Sequence, residues 1–236
     1  MTEQEWYENW NPEAMLLALG RRPGKRDQRK FRLYACECVR MWENADHCFH
    51  LDPYIHKVLA VAEQFANGLA NARQMGATRG HAKIREKKDR IDFLDGAILA
   101  LEGDAYRAAL WTADLVLADA CSMGNSGDED DIHERVTQWQ AWKLRSIFRG
   151  NPFQTQPRIA PEMLAWNEGT VPKLAQTLYD ERVSSGGVFD GASLAVLADA
   201  LEEAGCTDET ILTACRQPTD PHNTLFWMVD LLVGTR

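Results

Sequence analysis

Six side chains able to hold a soft or borderline metal ion fall within 21 residues: Cys36, Cys38, His47, Cys48, His50 and His56. Residues 31–45 carry helical apolar spacing, and on a helix Cys36 and Cys38 point about 200° apart, so the two thiols cannot share one ion. Cys38 falls on the apolar stripe, where a thiol packs as a small hydrophobe. The metal-binding candidates therefore reduce to His47, Cys48 and His50, with Asp46 as a further donor, in a spacing that matches no standard zinc module. Core thiols and surface imidazoles are the expected arrangement, and no cofactor is expected.

The second group of chemistry-bearing residues is electrostatic. Arg21, Arg22, Lys25, Arg26, Arg29, Lys30 and Arg32 place seven cations against one acid, Asp27, within twelve residues. Arg79, Lys83, Arg85, Lys87, Lys88 and Arg90 place six more against Glu86 and Asp89. The chain as a whole holds 26 basic and 35 acidic residues, a formal charge of -9. The two windows carry +6 and +4, so the remaining 212 residues carry -19 and the molecule is charge-polarised. Such windows are either solvated helix faces paired with the molecule's own acids, each exposed pair contributing about 0–1 kcal/mol, or a docking face for an anionic partner. The residues that would contact the partner are Arg21, Arg22, Lys25, Arg26, Arg29, Lys30, Arg79, Lys83, Lys87 and Lys88. No RNA-recognition motif, glycine-rich phosphate loop or pattern of stacking aromatics accompanies them, which favours a protein over a nucleic acid as that partner.

Motifs for catalysis are absent: the sequence holds no GxSxG, HExxH, Walker loop, CxxC or GxGxxG. The acidic run Asp128, Glu129, Asp130 and Asp131 lacks the alternating ligands and distal glutamate of a calcium loop and reads as the solvated start of a helix. Trp6, Tyr7 and Trp10 precede the first expected helix in an acidic segment, either as a strap folded onto the body or as an exposed hook. The strap is expected, since free aromatics promote aggregation.

The elements that must position these residues are helical throughout, and about ten helices are expected. Asn11-Pro12 and Asp52-Pro53 read as caps with proline in the first turn. Ile55, Val58, Leu59, Ala62, Phe65, Ala66 and Leu69 form the cleanest amphipathic stripe. A charged helix is expected over 78–101, with Ile84, Ile91, Leu94, Ile98 and Leu101 along its inner side. The stretch 105–121 is apolar almost all round and reads as a central helix packed on several sides. A helix over 132–148 carries Val136, Trp139, Trp142, Leu144 and Ile147. Residues 150–161, with three prolines, read as a crossover. Shorter helices are expected over 170–183, 192–204 with Gly205 as cap, 207–216 capped by Thr207, and 221–233. The expected architecture is all-α: a helical bundle over 1–149 and a short-helix subdomain over 150–236, packed on it as one cooperative unit.

Several phrases carry a resemblance. MTEQEW, PEAMLLAL, RKFRLYACECVRMW, IFRGNPF, LAWNEGTVPKLAQTLYDER, LAVLADALEEAGC and CRQPTDPHNTLFWMVDLLVG resemble a family of uncharacterised bacterial proteins, most strongly over 147–234. LADALEEAG also resembles a short repeat-companion domain. The resemblance implies that the chain is one unit. It brings no activity, substrate or catalytic residue with it. The more charged middle, roughly 75–131, and the run His47-Cys48-Phe49-His50 depart from the shared pattern.

With three glutamates in the first eight residues, no signal-like apolar run and no window near the ~18 apolar residues of a membrane span, the expected location is the cytoplasm, with reduced thiols and no membrane partner. The reading is a non-enzymatic interaction or regulatory module that docks an anionic protein or nucleic-acid partner. Its alternative is a metal-binding protein or enzyme with a site near His47, Cys48 and His50.

Overall fold

The computed structural model describes residues 1–20, 25–44, 50–123, 129–148, 159–184, 189–216 and 226–233. They form twelve helices and no strand, an all-α fold. In order these are α1 (Glu3–Glu8), α2 (Pro12–Gly20), α3 (Lys25–Asn44), α4 (Pro53–Ala66), α5 (Ala72–Asp89), α6 (Leu94–Ala100), α7 (Ala105–Met123), α8 (Glu129–Ile147), α9 (Pro161–Ser184), α10 (Gly191–Glu203), α11 (Glu209–Arg216) and α12 (Phe226–Val233). Two compact units divide the chain, Met1–Leu144 and Arg145–Arg236. The expected crossover falls almost wholly outside the described residues, as do Arg21, Arg22, His47 and Cys48.

Local chemistry accounts for most helix starts. Thr2 and Glu5 cap α1 reciprocally, and Trp6 on that helix is fully buried, which makes the segment a strap at Trp6 while Tyr7 and Trp10 stay half exposed. Asn11 Oδ1 accepts from Ala14 N at 3.0 Å, and Asp52 Oδ1 from Tyr54 N at 2.7 Å, so both Asx-Pro pairs cap as read. Asp104 receives Tyr106 N and Arg107 N and starts α7.

The first unit is built around α3. Every residue from Phe31 to Trp42 is buried, including Arg32, Glu37 and Arg40. α7, expected as a central helix packed on several sides, meets three neighbouring helices but also water. Arg107, Trp111, Asp114, Ala118 and Ser122 give α7 a solvent face, and its other side packs on α2, α3 and α6. The polar residues Arg32, Glu37 and Arg40 lie inside and are paired.

The charged helix expected over 78–101 is two helices. Arg90 and Phe93 adopt left-handed backbone, φ 48° and 63°, and end α5 four residues before α6 begins. The turn lays the Phe93 ring on Trp42, centroids 4.6 Å apart, and redirects the chain so that Leu94, Ile98 and Leu101 are buried. Ile84, upstream of the break, is 67% exposed. Leu69, assigned to the inner stripe of α4, is exposed beyond the end of that helix. α6 lies so close to α3 that a Cβ on Gly96 would sit 3.2 Å from Val39.

In the second unit α9 is interrupted from Trp166 to Gly169, three of whose four residues are left-handed, and resumes at Thr170, where the sequence placed its start. Val171, Ala175 and Leu178 are buried. So are Leu194, Leu197 and Leu201 of α10, Ile211 and Leu212 of α11, and Met228, Val229 and Leu232 of α12. Gly205, φ 90°, closes α10: Cys206 N donates to Leu201 O and Gly205 N to Glu202 O, both at 2.8 Å. Asp208, not Thr207, caps α11, since its carboxylate receives Thr210 N and Ile211 N.

Candidate functional site

The two basic windows lie on α3 and α5, and the structure gives their cations different tasks. On α3, Arg32 is buried and its guanidinium donates to Ala100 O at 2.6 Å and Gly103 O at 3.3 Å, with the Phe65 ring 5.2 Å away. Burial pushes its pKa down, and Cys36, Glu102 and Asp104 pull the other way. Arg29 is half-buried and donates to Asn67 Oδ1 at 2.8 Å. Lys30 is half-buried as well. The side chains of Lys25 and Arg26 lie outside the described residues.

On α5, Arg79 pairs with Glu102, in the same turn between α6 and α7 that Arg32 holds by its carbonyls. The windows therefore meet at residues 100–103. Arg85 is bound to Asp89 and lies over the Tyr54 ring, 4.3 Å from its centroid. Lys83, Lys87 and Lys88 are exposed, as is Arg73, which the charge windows missed because it lies six residues upstream. Among the described residues none of these four has an ion-pair partner.

The helix that carries them is bare on its outer side. Only Met75 and Ala82 of α5 are buried. Arg73, Gly76, Gly80, Ile84 and Lys87 share one face by helical spacing, with Lys83 and Lys88 flanking it. A Cβ on Gly76 or Gly80 would meet nothing within 4 Å. Each glycine lowers helix stability by about 1 kcal/mol relative to alanine, and no contact among the described residues uses the space.

A second polar constellation is buried and was missed. Glu37 Oε2 accepts from Lys143 Nζ at 2.9 Å, Glu37 Oε1 from Arg40 Nη1 at 3.1 Å, and Glu63 Oε1 from the same Arg40 nitrogen at 2.5 Å. All four residues are at most 5% exposed. Lys143 Nζ also lies 5.2 Å from the Trp139 ring and 5.4 Å from Trp142. The signal was in the spacing: Glu63 stands at i+4 from Leu59 and Lys143 at i+7 from Val136, both on apolar stripes. Two acids and two bases in mutual contact neutralise one another and join α3, α4 and α8. The arrangement is a buried network of charge that ties three helices together.

The metal-ligand candidates are dispersed. Cys36 and Cys38 are fully buried, His50 is exposed, and His56 Nε2 lies 2.8 Å from Glu43 Oε1. His47 and Cys48 fall outside the described residues. Among the described residues no group of three His, Cys, Asp or Glu side chains is placed to hold a metal ion. Burial pushes the Cys36 thiol up to about 12 and the Cys38 thiol higher still. Both are therefore protonated thiols at neutral pH, and native protein treated with iodoacetamide at pH 8 is expected to leave Cys36 unmodified until denaturant is added. Peptide mass spectrometry checks this, and alkylation of Cys36 in the native protein would contradict it.

No helix among the described residues is long and apolar enough to cross a membrane. No protein-family model matches the chain, and no curated protein or solved structure is significantly similar to it.

Proposed function

We propose that the chain is a cytoplasmic, non-enzymatic interaction module that docks an acidic protein surface on the outer face of α5. The observation that supports this reading is the pairing of unpartnered cations, Arg73, Lys83, Lys87 and Lys88, with an open small-residue strip and a 67% exposed isoleucine, Ile84, on one helix. An apolar centre with a charged rim suits a protein interface. A surface that tracks single-stranded nucleic acid would instead present several large aromatic side chains for base stacking, and α5 carries no Phe, Tyr or Trp. On α3, Arg29 and Arg32 hold that helix to the end of α4 and to the turn between α6 and α7.

The test is fluorescence anisotropy with labelled poly-L-glutamate, a 20-nucleotide single strand and a 20-base-pair duplex, at low ionic strength. Wild-type protein is expected to bind polyglutamate, and Lys83→Glu/Lys87→Glu/Lys88→Glu to lose at least about tenfold in affinity. Absence of polyglutamate binding, or an unchanged affinity in the triple variant, would overturn the reading. Tighter binding of either oligonucleotide than of polyglutamate would replace the protein partner by a nucleic acid.

A further inference from the structure

We propose that the cleft between α2, α7 and α8 binds a compact organic cation, an ammonium or guanidinium head group. The cleft is about 230 Å³ and is enclosed by the chain leading into α2, one face of α7 and one face of α8. Glu13 and Asp114 line it from opposite helices, with Leu16 and Leu117 beside them, Gln140 in its wall and the half-exposed Trp10 at its edge.

Two independent observations point to a cation. The first is uncompensated negative charge. Among the described residues neither Glu13 nor Asp114 has an ion-pair partner, and the one basic group lining the cleft, His133, pairs with neither. Partial burial, then the charge of Glu13, hold the Asp114 carboxyl above its ordinary range. Glu13 likewise adds to the upward shift of the nearby Tyr106.

The second observation is an orphaned acceptor. Gln140 is 1% exposed, and its Nε2 donates to Ala113 O at 2.9 Å, which leaves the buried Oε1 without a hydrogen-bond partner. A buried carbonyl oxygen left unpaired costs about 1–3 kcal/mol, and since Gln140 lines the cleft, a turn of its side chain would bring that oxygen to an N–H donor held there. Glu13, Asp114 and Gln140 thus offer acceptors from all three helices, and tryptophan is the side chain whose ring face attracts cations best. The volume admits roughly seven or eight water-sized groups, enough for a head group with a short alkyl stem.

The same head group could arrive on a free small molecule or on a lysine or arginine of another chain. Isothermal titration calorimetry on the full chain, with n-butylguanidinium, n-butylammonium, neutral n-butylurea and N-acetyl-arginine-methylamide, tests the proposal and separates the sources. At least one cation is expected to bind about tenfold or more tighter than n-butylurea and to shift the Trp10 indole resonance. Glu13→Gln and Asp114→Asn, both exposed positions, are each expected to weaken it at least about fivefold with the melting temperature preserved. Preference for the blocked arginine assigns the ligand to a protein side chain, and preference for the butyl cations to a small molecule. The proposal is overturned if no cation binds at roughly 10 mM, if n-butylurea binds equally, or if both variants bind as wild type does.

Discussion

Glu37→Leu is expected to destabilise the protein by about 3–5 kcal/mol, the cost of removing one member of a buried ion pair and leaving its partner charged in a dry interior. The carboxylate meets Lys143 at 2.9 Å and Arg40 at 3.1 Å. Arg40 keeps Glu63 after the substitution, whereas among the described residues the Lys143 ammonium keeps the Trp139 and Trp142 rings and no carboxylate. For a chain of this size each kcal/mol lowers the melting temperature by about 2–4 °C, so a drop of roughly 6–20 °C is expected in thermal unfolding followed by circular dichroism. Glu37→Leu/Lys143→Met removes both charges and is expected to recover part of the loss, because the desolvation of Lys143 vanishes with its charge. A single variant melting within about 2 °C of wild type would contradict this account of the core.

Arg32→Leu is the second large effect, expected at about 2–4 kcal/mol in chemical denaturation. The guanidinium binds two main-chain carbonyls at once, Ala100 O and Gly103 O, and packs over Phe65, so its removal strips donors from the turn that joins α6 to α7. Lysine carries the charge but not the fork, and Arg32→Lys is expected to restore less than half of the loss. Neither variant should alter affinity for polyglutamate under conditions where it is folded, because Arg32 is 2% exposed. A change of less than about 0.5 kcal/mol in Arg32→Leu would return this residue to the class of solvated surface charges.

Helix boundaries set by short-range chemistry were legible in the sequence. Asn11-Pro12, Asp52-Pro53 and Gly205 act through hydrogen bonds within a few residues, and each is found where its spacing put it. Features that depend on a distant partner were not. Arg32, Glu37 and Arg40 look like a wet face until Ala100, Lys143 and Glu63 are brought to them from 68, 106 and 23 residues away. The break at Arg90–Phe93 has no glycine or proline to announce it. Its left-handed residues are stabilised by the stacking of Phe93 on Trp42, a tertiary contact that overrides the helical spacing from Ile84 to Leu101. The candidate site was half legible: charge density located α5, while only the structure separates Lys83, Lys87 and Lys88, which face water, from Arg79 and Arg85, which are held by Glu102 and Asp89.

Within one acidic chain, Arg29 and Arg32 of α3 are tied into the fold, whereas Lys83, Lys87 and Lys88 of α5 face water, where the proposed partner would dock. The most direct test of this claim is the salt dependence of polyglutamate affinity for wild type and for Lys83→Gln/Lys87→Gln/Lys88→Gln. The three lysines are exposed and, among the described residues, without an ion-pair partner, so the variant should melt as wild type does, bind at least about tenfold more weakly, and lose less affinity as salt rises. The same affinity and the same salt dependence in both proteins would contradict the claim.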